Sequence, residues 1–239
     1  FPVFIAVQRN PFHPSRWQLT AKLTVVTTTF FFGFGAFFWG LFEWNNPATI
    51  GSYSSGDKIL NAIFASVMMR SGGFNLVDMD TITPVSTLLT DVLMFIGGGS
   101  GSTAGGVKVT TIAVIALSIL AEARGDQKVV AFNRTIPESS LRIAISVLVM
   151  SATMVCIGTA TLVMISGADL KEVMFEVISA FGTCGLSSGL SSSLPPAGVY
   201  VLSLLMLIGR IGTTTAATGL AMRSRRRLYK FPEERPTIG

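Results

Sequence analysis

The sequence predicts an all-α membrane protein of two helix–pore loop–helix repeats, with the second helix of the first repeat broken by a Gly-rich intramembrane loop. Three observations predict it. Two long apolar runs, residues 23–42 and 143–167, carry no charge. One register of self-similarity relates the two halves of the chain, and a short helical stretch followed by glycine recurs at the same place in each half. The bulk composition agrees, since 49% of the 239 residues are hydrophobic and 13% charged, too apolar for a chain meant to dissolve in water.

Residues 1–18 hold Arg9 and Arg16 among prolines and read as a cytoplasmic segment. The chain starts at Phe1 with no signal peptide, so a natural beginning is expected to lie elsewhere. Residues 19–44 are long enough to cross about 30 Å of hydrocarbon at about 1.5 Å per helical residue. Asn45, Asn46 and Pro47 then stop the helix. Asp57 is expected to cap a short amphipathic helix that ends near Met69 and reaches only about 18 Å, too little to cross. Pro84 opens a second span, which would run unbroken to about Glu122 but for the glycines of 97–106. The first repeat is thus 19–122, and residues 123–138 are a cytoplasmic linker. The second repeat, 139–222, copies the first: a span over 139–166, a helix capped by Asp169 and ending near Phe181, and a last span opened by Pro195 and Pro196. Residues 223–239 form a cytoplasmic tail.

The self-similarity has one offset of 112 positions, read from Leu93, Met94, Ile96 and Gly97 against Leu205, Met206, Ile208 and Gly209. The same offset pairs Asp57 with Asp169, Gly73 with Gly185, Pro84 with Pro196, and Thr103 and Ala104 with Thr215 and Ala216. An amphipathic surface helix is the plainer explanation of each short helix, but it does not account for glycine following both.

The formal charge of +5 does not point to nucleic acid, because its location follows membrane topology. Basic residues gather before the first span, between the halves and in the tail. Glu43, Asp57, Asp78, Asp80, Asp169, Glu172 and Glu176 face only Lys58, Arg70 and Lys171 on the other side. That outer side is therefore expected to be acidic and to concentrate cations. Cys156 and Cys184 are too few for a disulfide framework, and His13 has no companion spaced to share a metal.

A cation crossing lipid must exchange its water for fixed oxygens, and extended backbone supplies them where one residue can leave ordinary φ/ψ space. Gly73 and Gly185 have that freedom, each just after a short helix. The run Gly97, Gly98, Gly99, Ser100, Gly101 and Ser102, with Thr103, Gly105 and Gly106, interrupts a span and is suited to swing across an aqueous path. A small-residue packing face would need only one or two of these glycines. Arg210, at the position equivalent to Gly98, is the one charge in its span; it is expected to hydrogen-bond carbonyls of the 97–106 loop and add a positive barrier. Lys108 either assists from the cytoplasmic side or snorkels there, and Asp91 has no evident partner. A phosphate-loop reading of 101–108 fails, because Val107 separates Gly106 from Lys108 and Val109 stands where a hydroxyl is required. No carboxylate pair, Ser/His/Asp set or Cys/His cluster suggests an enzyme.

With these residues in view, 70–75 and 181–187 resemble the third and fourth filter segments of the Trk/Ktr/HKT potassium transporter family, and FIGGGSGSTAGGVK over 95–108 resembles its gate. The resemblance implies potassium translocation across the plasma membrane by a multi-pass protein. It implies that Ser71, Gly72 and Gly73, with Thr183, Cys184 and Gly185, present carbonyls to the ion, supported by Phe74, Asn75 and Leu186. Four repeats make one pore in that family, so two further repeats are expected outside this chain. The resemblance also implies a homodimer seated on a cytosolic nucleotide-binding ring, with no cofactor in this chain itself. Sodium or mixed monovalent cation transport, and a non-conducting membrane scaffold, are the alternatives.

Overall fold

The structure is a computed structural model that describes residues 2–9, 13, 16–99, 102, 104–212 and 219. It is mostly helical. Helix α1 is Pro2–Arg9, α2 Leu19–Glu43, α3 Ser55–Met68, α4 Pro84–Phe95, α5 Val109–Arg124, α6 Glu138–Ser166, α7 Leu170–Gly182 and α8 Pro196–Leu207, with a π turn at Ile208–Gly212. A two-residue hairpin, β1 Val130–Ala131 against β2 Arg134–Thr135, joins α5 to α6.

The lengths sort the helices. At about 1.5 Å per residue, α2 with 25 residues and α6 with 29 exceed the membrane's hydrocarbon thickness of about 30 Å, whereas α3 with 14 and α7 with 13 fall well short. Local sequence sets the starts. Ser54 caps α3, accepting from the Asp57 backbone N–H at 3.3 Å while its Oγ donates to Asp57 Oδ2 at 2.7 Å. The expected cap, Asp57, therefore lies inside the first turn, and the serine three residues earlier is the cap, its hydroxyl hydrogen-bonded to the Asp57 carboxylate. Asp169 does cap α7, accepting from Lys171 N at 3.3 Å. Pro84 and Pro196 occupy the first turns of α4 and α8, where a missing N–H costs nothing.

One apolar cluster runs through both halves. Trp39 of α2, Ala62 of α3, Leu93 and Met94 of α4, Phe175 and Ile178 of α7, and Cys184 and Leu186 beyond α7 are all buried in it. Helix α4 packs on α7, so the halves are joined at the helix opened by Pro84 in one and the short helix capped by Asp169 in the other. A second cluster, with Leu162, Val177 and Leu202, ties α6, α7 and α8 together.

Glu43 departs from the expected acidic outer surface. It is fully buried at the end of α2, where Oε1 accepts from Thr83 N at 2.9 Å and Thr83 Oγ1 at 2.8 Å, and Oε2 from Asn46 Nδ2 at 2.7 Å and Thr49 Oγ1 at 2.8 Å. The carboxylate thereby fastens the end of α2 to the start of α4, whose first-turn N–H groups favour negative charge. Glu43→Ala removes the acceptor of four hydrogen bonds and leaves Thr83 N without one, and a loss of about 1–3 kcal/mol is expected, read as a lower melting temperature of the detergent-solubilised protein. An unchanged melting temperature contradicts this role.

Candidate functional site

Beyond each short helix the backbone enters the left-handed region twice, at equivalent positions. Ser71 has φ 105° and Gly73 φ 71°; Thr183 has φ 51° and Gly185 φ 97°. A β-branched residue such as Thr183 rarely adopts such a φ. The two turns are in contact. A Cβ built on Gly73 would stand 2.6 Å from the Cys184 carbonyl oxygen and 3.1 Å from the Gly185 Cα, and one on Gly185 would stand 3.3 Å from the Gly73 Cα. Both φ and space thus demand glycine at the point where segments far apart in sequence meet.

The second turn is braced from behind. Cys184 and Leu186 are buried; Ser179 Oγ donates to the Leu186 carbonyl at 2.5 Å, and Ser188 N donates to Glu176 Oε1 at 3.0 Å. Ser187 Oγ also donates to Glu176 Oε1. Glu176, expected at an acidic mouth, is buried and holds residues 187–188 instead, since its position on α7 turns it towards the returning chain. Phe74 does not match Leu186. It is 72% exposed, whereas Leu186 is buried in the cluster that joins the halves. Asn75 Nδ2 donates to Val77 O at 3.0 Å and steadies its own loop. Arg70 likewise leaves the expected outer surface: its guanidinium nitrogens are buried without a partner among the described residues, and it lies 5.4 Å from the centroid of the Phe31 ring.

Between α4 and α5 the chain doubles back. Gly97 N donates to Val107 O at 2.8 Å, Val107 N to Phe95 O at 3.1 Å, and Val109 N to Gly98 O at 3.2 Å. Ser100, Gly101 and Thr103 lie outside the described residues, as do Thr215, Ala216 and the tail residues of 223–239. The rest of the loop abuts the carboxyl end of α7. Gly105 N donates to Thr183 Oγ1 at 2.8 Å, and Cβ atoms on Gly105 and Gly182 would meet the Phe181 and Met94 carbonyl oxygens at 2.9 Å and 2.6 Å. The loop is therefore one hydrogen bond from the second turn. Its glycines allow backbone contact that any side chain would prevent, and Gly106, at φ 69°, sits under Gly182.

Arg210 does not make the expected hydrogen bonds to this loop among the described residues. It lies exposed on the π turn, one end of a cavity of about 530 Å³ that also touches Glu176, Ser179, Thr183, Gly185 and Ser203. Lys108, only 8% exposed, donates its Nζ to the Ala104 carbonyl of the loop. Sequence reasoning missed the Thr183–Gly105 bond, the Cys184 thiol contacts and the bracing by Glu176; only Glu176, a carboxylate within a short apolar helix, left a readable signal.

Two short helices thus end in abutting glycine turns, beside a glycine loop that joins α4 to α5. The chain belongs to the TrkH family of cation transport proteins, whose match covers residues 7–226, and it is a multi-pass protein of the cell membrane. It is 37% identical over 222 residues to Ktr system potassium uptake protein B of Vibrio alginolyticus, covering 93% of this chain and 49% of that protein. It is 35% identical over 213 residues to the potassium/sodium uptake protein NtpJ of Enterococcus hirae, covering 86% and 47%. Its fold is similar to the crystal structure of the potassium transporter TrkH from Vibrio parahaemolyticus, with a TM-score of 0.71 at 18% identity, over 93% of this chain and 49% of that one. The chain spans about half the length of these relatives.

Proposed function

We propose that the chain supplies two repeats, 19–122 and 139–222, of a pore that carries potassium across the cell membrane, with Ser71–Gly73 and Thr183–Gly185 as filter and residues 97–108 with Arg210 as gate. The contact of the Gly73 and Gly185 turns carries this reading, because two carbonyl-bearing segments converge on one point only where the backbone lacks side chains. Non-helical backbone at membrane depth belongs beside a cavity, and Thr183 and Gly185 border one. Ser71, Gly72 and Gly185 remain exposed, which fits an axis that further repeats close. Segments 1–18, 123–138 and 223–239 are assigned to the cytoplasm, and the exposed Arg124, Lys128 and Arg134 suit a surface for a cytosolic nucleotide-binding ring beneath a homodimer.

The potassium uptake protein among the relatives favours potassium, while the potassium/sodium uptake protein favours a second reading, mixed monovalent transport. Flux into liposomes holding the full-length protein separates them. Potassium uptake well above sodium uptake is expected; equal fluxes establish the mixed reading, and no cation flux overturns both in favour of a scaffold.

A further inference from the structure

Cys184 lies between the two left-handed residues of the second turn, and its backbone N–H donates to Ser179 O at 2.9 Å, so its main chain is anchored to its own helix. Its side chain crosses to the other half: Sγ stands 3.2 Å from the Met69 carbonyl oxygen and 3.3 Å from that of Met68. Met68 ends α3 and Met69 is its C-cap, so both carbonyls lie at the negative end of the helix dipole. Met68 O already accepts from Gly72 N and Gly73 N at 3.2 Å each, whereas Met69 O accepts from no other donor among the described residues. A thiol has one proton to give. It therefore goes to Met69.

We propose that Cys184 is a positioning residue for ion selection: its S–H, donated to the carboxyl end of α3, fixes the separation of the Gly73 and Gly185 turns. This rests on the reading of those turns as a filter. The fastening runs one way, since the equivalent residue of the first turn, Gly72, has no side chain. Shape alone does not explain it. A valine would fill the same buried space within the cluster of Met69, Phe175 and Leu186, yet would leave the Met69 carbonyl without a donor. The thiol is also a weak, long donor, which lets the two turns adjust together while an ion passes.

The test uses the full-length protein with its other cysteines, Cys156 included, changed to serine. The S–H stretching band in the infrared is expected at lower frequency than that of a free thiol, and to vanish in Cys184→Val. In liposomes, Cys184→Val is expected to raise the sodium-to-potassium flux ratio roughly three- to tenfold, while Cys184→Ser, which keeps a donor, stays within about twofold of the parent. An unshifted band overturns the proposal even if the valine variant does not fold, and so does a valine variant with the parent's flux ratio. A shifted band in a protein that passes no cation confirms the contact and overturns the role in selection, so failure of the filter reading is seen separately.

Discussion

Gly73→Ala in the full-length transporter is expected to lower potassium uptake at least about tenfold while the protein still reaches the membrane. Two costs act at one atom. Alanine at φ 71° is disfavoured by about 1–2 kcal/mol, and the added methyl would stand 2.6 Å from the Cys184 oxygen and 3.1 Å from the Gly185 Cα. Both neighbours are backbone, so neither can swing aside as a side chain would. The turns must separate, and carbonyls that replace an ion's hydration shell lose their spacing. Gly33→Ala is the matched control, because a Cβ there meets nothing within 4 Å and uptake should stay at the parent's level. Cells unable to take up potassium, complemented with each variant and checked for equal amounts in the membrane fraction, give the comparison. Normal uptake by Gly73→Ala contradicts the account.

The second large effect is expected at the loop. Lys108→Met should raise cation flux about tenfold, which corresponds to about 1.4 kcal/mol removed from the barrier. Lys108 donates to Ala104 O within the loop and is a buried positive charge, which on the proposed reading of the loop as a gate opposes a cation. Methionine keeps the length and apolar stem but gives up both the bond and the charge, each of which opposes a permeating cation. Steady-state flux in liposomes measures it. A flux equal to or below the parent's, at equal incorporation, shows that the lysine serves insertion rather than gating.

Much of the helical arrangement is legible in the sequence because local chemistry sets it: apolar length for α2 and α6, proline at the first turns of α4 and α8, and Asp169 at the start of α7. The cap of α3 was harder, since Ser54 and Asp57 satisfy each other and either alone is a plausible cap. The approach of Gly73 to Gly185 is visible as paired glycines at one offset. What is not visible is anything that depends on which side chain fills the space between halves. Glu43 and Glu176 look like surface carboxylates until the donors around them, from residues far along the chain, are known. Arg210 and Lys108 both look able to hold the loop, and among the described residues only Lys108 is hydrogen-bonded to it, at Ala104. Phe74 and Leu186 occupy equivalent positions, yet one is 72% exposed and the other 4%, because each half meets a different neighbour.

The most direct measurement is anomalous diffraction from crystals of the full-length protein grown with rubidium or thallium in place of potassium. The account predicts an anomalous peak on an axis shared by the carbonyl oxygens of Ser71, Gly72 and Gly73 and those of Thr183, Cys184 and Gly185. A peak elsewhere, with these two turns bearing no ion between them, contradicts it.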